Sequence, residues 1–155
     1  MEGALVNTPL FAGLDSHEMA LIGGIARRSV LNEGQAAFEE GDRGDSLIVL
    51  NLGTLQLAKT GSSGEPQAIT TLGTGDYLGE MSLFDQGKRS LSGVALERCE
   101  ITVILFADLM PLLDRHPALA AKFYRNVAMG IARRLRHTSQ DIAFLRNYLR
   151  RGKER

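Results

Sequence analysis

Between Gly79 and Ser90 the chain reads GEMSLFDQGKRS, and the two ends of this stretch carry complementary chemistry. Gly79-Glu80 opening a helical turn offers free backbone N–H groups and a carboxylate in one place, while Arg89-Ser90 returns with a cation and a hydroxyl. A carboxylate accepts from sugar hydroxyls, and amides at a helix N-terminus attract phosphate oxygens. An arginine closes on the same anion through charge-assisted hydrogen bonds, each contributing roughly 1.5–3 kcal/mol. The two ends therefore read as a clamp for one sugar phosphate. Taken singly, Glu80 is a helix N-terminal charge and Arg89 a solvated strand-edge cation, so the clamp reading rests on their pairing.

Other chemistries find little support. His17, His116 and His137 are the histidines, each in or beside a helical segment and none sharing a strand with another candidate ligand. A metal site of the kind small jelly rolls hold is therefore not read, nor is a Ser-His-Asp or Cys-His catalytic arrangement, and the expectation is a protein that is not an enzyme and has no cofactor. Cys99 is the single cysteine, which excludes a disulfide framework and reads as a small core residue. Lysine plus arginine and aspartate plus glutamate each number 18, so there is no global polyanion-binding signal. The local cluster Arg133, Arg134 and Arg136, joined by Arg146, Arg150 and Arg151, reads as the solvated face of a helix, with an acidic-partner or nucleic-acid patch as the alternative. No signal peptide or membrane span is indicated, and a cytoplasmic protein is expected.

The clamp needs elements to hold it. With 155 residues and 44% hydrophobic content, one domain spanning 1–155 is the expectation. Residues 15–28 open with Asp15 and Glu18 at capping-box spacing and predict an N-terminal helix. From 29 to 106 the texture is short β-rich runs, SVL, AAF, SLIVLNL, TLQLAK, QAITTL, SLSGVAL and CEITVILF, separated by glycine-bearing turns. Such strands predict a closed antiparallel barrel or jelly roll. Residues 107–150 read as C-terminal helices, with Pro117 at a first turn. The class is α+β, a β-jelly-roll barrel flanked by an N-terminal helix and a long C-terminal helix. In the last helix Tyr124, Ala128, Ile131, Leu135, Thr138, Ile142, Leu145 and Leu149 follow a 4-3-4-3 spacing, a seam that calls for a partner helix or the chain's own barrel. Past Leu149 the RRGKER tail reads as polar and frayed.

The order of elements and the residues GEMSL and KRS resemble the phosphate-binding cassette of the cyclic-nucleotide-binding domain, in the manner of the sensor domain of the bacterial catabolite activator (cyclic-AMP receptor) family. LFAGLDSHEM, EEGDRGDSLIVLNLGTLQL and ARRLRHTS extend that resemblance over nearly all of residues 9–145. It implies that Gly79 and Glu80 meet the ribose, with Glu80 accepting from the 2′-hydroxyl and Met81 and Ser82 lying over the phosphate. It implies that Arg89 pairs with the cyclic phosphate beside the Ser90 hydroxyl and amide. Thr138-Ser139 match a pair that touches adenine, one of the two coming from a partner subunit.

Two features differ from the family. Leu91 stands where the family usually keeps a small residue, and the expectation is a sensor domain without the family's helix-turn-helix DNA-binding domain. The expected function is a stand-alone cyclic-nucleotide sensor, cyclic AMP preferred and cyclic GMP possible. It would signal through its C-terminal helix to a homodimer or a downstream protein, without membrane or DNA binding. The alternative is a nucleotide-independent protein-interaction module on the same fold.

Overall fold

The computed structural model of the protein describes residue 5 and residues 7–153. A 3-10 turn at Pro9–Phe11 leads into α1 (Ser16–Ile25), followed by eight strands: β1 (Ala26–Leu31), β2 (Ala36–Phe38), β3 (Ser46–Leu52), β4 (Leu55–Thr60), β5 (Pro66–Leu72), β6 (Tyr77–Leu78), β7 (Ser92–Ala95) and β8 (Cys99–Leu105). A single-turn helix, α2 (Ser82–Asp85), lies between β6 and β7, and α3 (Phe106–Arg115) and α4 (Pro117–Lys153) follow β8. The strands form two antiparallel four-stranded sheets, β1-β8-β3-β6 and β2-β7-β4-β5, the jelly-roll architecture expected from the turn spacing.

The β3 run SLIVL explains how the layers stack. Its side chains alternate between two environments, and both are apolar. Ile48 and Leu50 enter the core between the sheets with Leu55, Ala95, Cys99 and Ile101. Leu47 and Val49 face the other way, into a core shared with α1, α3 and α4 that contains Ile22, Leu109, Leu113, Leu119, Phe123 and Val127. A strand covered on both faces reads as an unbroken hydrophobic run rather than an alternating one.

α1 begins with the capping box seen in the sequence. The Glu18 amide donates to Asp15 Oδ1 at 2.8 Å and the Asp15 amide to Glu18 Oε2 at 2.9 Å. The helix ends at Ile25, short of the expected residue 28. Arg27 and Arg28 instead pair with Val103 and Thr102 of β8, because the ladder continues without a break from Ala26 to Leu31.

Glu18 also accepts from Lys122 Nζ at 2.7 Å, tying α1 to α4. That bond, reinforced by the Asp15 amide, holds the Glu18 carboxyl below its ordinary value of 4.5. A depressed folded-state pKa contributes stability that is present above 4.5 and lost as pH falls through the lowered value. Glu18→Gln is therefore expected to lower the melting temperature near neutrality and to flatten its decline below pH 4.5. Thermal unfolding across a pH series checks this, and a variant with the wild-type acid limb would contradict it.

α4 carries two adjacent stripes. Leu119, Phe123, Val127 and Gly130 are buried against the barrel, Phe123 stacking on Phe11 with ring centroids 6.4 Å apart. Along the predicted seam Tyr124 and Ile131 are half-buried, Tyr124 lying beside Phe84. Leu135, Ile142, Leu145 and Leu149 are between 47% and 65% exposed. The backbone stays helical through Lys153 instead of fraying after Leu149, while Glu154 and Arg155 lie outside the described residues. Among the described residues no helix is long and apolar enough to cross a membrane.

Candidate functional site

The stretch from Gly79 to Leu91 wraps one end of the barrel and encloses a cavity of about 230 Å³. Its lining includes Gly79, Glu80, Met81, Ser82, Lys88, Arg89, Ser90 and Leu91, with Phe38, Leu57 and Leu78 supplying an apolar wall. The two ends of the motif thus meet across a space, although nine residues lie between Gly79 and Arg89.

Gly79 makes the approach possible. Its φ is +97°, a left-handed conformation that side chains disfavour, and a Cβ there would overlap the Ser46 carbonyl oxygen and lie 2.7 Å from Arg89 Nη1. β6 then delivers Glu80 to the cavity with its carboxylate buried, 1% exposed.

Arg89 is pinned at its backbone. Its amide donates to the Asp42 carbonyl, and its carbonyl accepts from the Gly41 amide, both at 2.8 Å. The guanidinium is 7% exposed, lies 5.3 Å from the Phe38 ring centroid, and donates from Nη2 to Ser46 O at 2.8 Å and Ser46 Oγ at 3.2 Å. Burial pulls its pKa down, partly offset by the fields of Asp45, Asp42 and Glu80. Among the described residues no carboxylate forms an ion pair with it. A buried cation is costly unless paired, and guanidinium has five donor hydrogens, so a site for an anion is open here.

Arg134 is the cavity residue that sequence reasoning missed, having grouped it with Arg133 and Arg136 on a solvated face. It reaches in from α4, pairs with Glu80 Oε1 through Nη1, and donates from Nη2 to the Tyr77 carbonyl at 2.8 Å. Its guanidinium stacks 5.0 Å from the Tyr77 ring centroid. Burial raises the Tyr77 hydroxyl above its ordinary value of 10.0. A signal was present in the sequence: Gly130 lies one turn before Arg134 on the same helical face, marking where the helix closes on the barrel.

Thr138 and Ser139 do not line this cavity. Thr138 donates from Oγ1 to the Arg134 carbonyl at 3.0 Å, and Ser139 borders a shallow depression along α4 with Ile142, Ala143, Arg146 and Asn147. Both are exposed, on the part of α4 beyond the barrel. Cys99 is buried between the sheets, its thiol 3.3 Å from the Thr54 carbonyl.

Fold and cavity together define a jelly-roll domain whose cassette presents a buried carboxylate and a buried arginine to one small-molecule space. The chain belongs to the cyclic nucleotide-binding domain family, whose model matches residues 28–116. It is similar to the cyclic AMP receptor protein of Thermus thermophilus, 35% identical over 138 residues that cover 89% of this chain and 62% of that protein. It is also similar to the crystal structure of the N-terminal domain of a transcriptional regulator from Streptomyces coelicolor A3(2), at 36% identity and a TM-score of 0.73, covering 87% of this chain and 94% of that one. A cyclic nucleotide-binding domain from Methylobacillus flagellatus, 23% identical with a TM-score of 0.81 over 91% of this chain and 82% of that one, shares the fold. The chain spans about three fifths of the length of the curated regulators it matches first.

Proposed function

We propose that this chain is a non-enzymatic sensor of a cyclic nucleotide and binds the ligand in the cavity between Glu80 and Arg89. The observation that carries the reading is the pairing of opposite needs across that cavity. Among the described residues Arg89 is a buried cation with no carboxylate partner, and Glu80 is a buried acceptor within the same lining. A cyclic ribose phosphate supplies an anion for the first and a hydroxyl donor for the second. Glu80 accepts from the 2′-hydroxyl beside Gly79. Met81 and Ser82 lie over the phosphate, and Ser90 adds its hydroxyl and amide to Arg89.

Cyclic AMP is the first choice and cyclic GMP the second, since the relatives include proteins named for cyclic AMP. The seam of α4 joins two copies, and in the pair Thr138 and Ser139 approach the base, one from each chain. The output passes through α4 to a downstream protein, in a cytoplasmic setting and without DNA contact.

Isothermal titration of nucleotide-stripped protein with cyclic AMP and cyclic GMP tests the reading. Micromolar or tighter binding of either is expected, and silence with both in folded, empty protein overturns it.

Leu91 favours one second reading, a nucleotide-independent interaction module. It is a half-buried leucine in the wall of a cavity whose volume lies below the roughly 300–1,000 Å³ common for small-molecule sites. In that case Leu91→Ala would create binding that the wild type lacks.

A further inference from the structure

Glu80 can orient toward a ribose only if its ion-pair partner is held in place, and that partner comes from a helix 54 residues further along the chain. What holds Arg134 is Tyr77. The tyrosine carbonyl accepts from Nη2 at 2.8 Å and its ring lies under the guanidinium at 5.0 Å, so carbonyl and ring together fix the side chain's direction. Tyr77 is itself buried at 5% exposure, with its backbone paired to Val49 of β3. The far end of its side chain runs up against α4 at Gly130, one turn before Arg134.

The fit at Gly130 is specific to hydrogen. A Cβ built there would overlap the Tyr77 hydroxyl oxygen, whereas the next nearest atom, Tyr77 Cζ, would be an ordinary 3.4 Å away. Glycine inside a helix disfavours that helix relative to alanine, so Gly130 is not there for helix formation. Its backbone conformation is plain helix, unlike the left-handed Gly79, so backbone strain does not call for glycine either. The one demand the structure makes at this position is room for the hydroxyl.

We propose that Gly130 and Tyr77 form a lock that positions Arg134, and through Arg134 aims the Glu80 carboxylate at the ligand's 2′-hydroxyl. This rests on the ribose reading of Glu80 given above. An added methyl at 130 displaces either the tyrosine or the helix, and both carry the support out from under the guanidinium. Gly130 and Tyr77 are positioning residues, since neither needs to touch the nucleotide.

The test is a cycle of Gly130→Ala, Tyr77→Phe and the double variant, titrated with cyclic AMP and with 2′-deoxy cyclic AMP, alongside thermal unfolding of each protein. Gly130→Ala alone is expected to weaken cyclic AMP binding about tenfold and 2′-deoxy cyclic AMP binding far less, because the interaction it disturbs is made only with the 2′-hydroxyl. Adding Gly130→Ala to Tyr77→Phe is expected to lower affinity no further, since the oxygen that collides is gone. The effect of Gly130→Ala on the melting temperature should change sign between the two backgrounds. Gly130→Ala destabilises the Tyr77 protein, and stabilises the Tyr77→Phe background, where only the better helix propensity of alanine remains.

Equal loss for both nucleotides, or equal loss in both backgrounds, overturns the proposal. A wild-type protein that binds neither cyclic AMP nor cyclic GMP overturns the functional reading instead. The melting cycle still decides whether Gly130 and Tyr77 are locked together.

Discussion

An Arg89→Leu protein is expected to keep its fold and lose cyclic-nucleotide affinity by roughly a hundredfold or more. Two charge-assisted hydrogen bonds to a phosphate, at roughly 1.5–3 kcal/mol each, make that the lower end of the effect, because each 1.4 kcal/mol is tenfold. The fold survives for a reason visible at the site. Arg89 makes no ion pair with a carboxylate among the described residues, so its replacement by leucine strands no buried carboxylate and removes a desolvated charge. The Ser46 carbonyl loses one donor, an unsatisfied acceptor worth about 1–3 kcal/mol. Calorimetric titration with a melting curve on the same sample checks both halves, and wild-type affinity in a folded variant would remove Arg89 from the site.

The second large effect lies on α4. Leu135, Ile142, Leu145 and Leu149 present a half-exposed stripe at heptad spacing, beyond the part of the helix that packs on the barrel. Fully burying such a side chain contributes about 1.5–3 kcal/mol, and a second copy of the helix would cover the exposed half of four of them on each chain. Thr138 interrupts the stripe with a polar residue of the kind that sets register. The wild type is expected to sediment as a two-chain species. Ile142→Asp with Leu145→Asp buries unpaired charge in the seam and is expected to raise the dissociation constant more than a hundredfold. Wild-type protein that sediments as a single chain at micromolar concentration would contradict the pairing.

The barrel was legible because its information is local. Short β-rich runs and glycine turns dictate strands one at a time, and the doubly buried β3 advertises itself as a continuous apolar run. β6, two residues long, gave no periodicity to detect and exists because Tyr77 and Leu78 pair with Val49 and Ile48. The cassette ends were legible for the same reason, glycine, carboxylate and arginine lying within one short segment. Arg134 was not. Three arginines within four residues look alike along the chain, and only the rotation of α4 against Tyr77 selects the one that turns inward. That rotation is set by Leu119, Phe123 and Val127 packing into the core shared by the β1-β8-β3-β6 sheet, α1 and α3, contacts spread over most of the sequence. Thr138 and Ser139 illustrate the converse. In a single chain they stand clear of the cavity, and no local pattern says what a second chain would bring near them.

α4 is unbroken from Pro117 to Lys153, and the residue that grips the cavity, Arg134, lies near its middle. At about 1.5 Å per residue the helix extends roughly 28 Å past that grip, with no proline or hinge to absorb a change of angle. On the reading proposed above it acts as a lever that pivots where Arg134 meets Glu80 and Tyr77. A tilt of about 5° at the cavity moves the far end by roughly 2.5 Å on that geometry. A small shift at the Glu80 carboxylate is, on that reading, carried by α4 to its far end as a larger displacement.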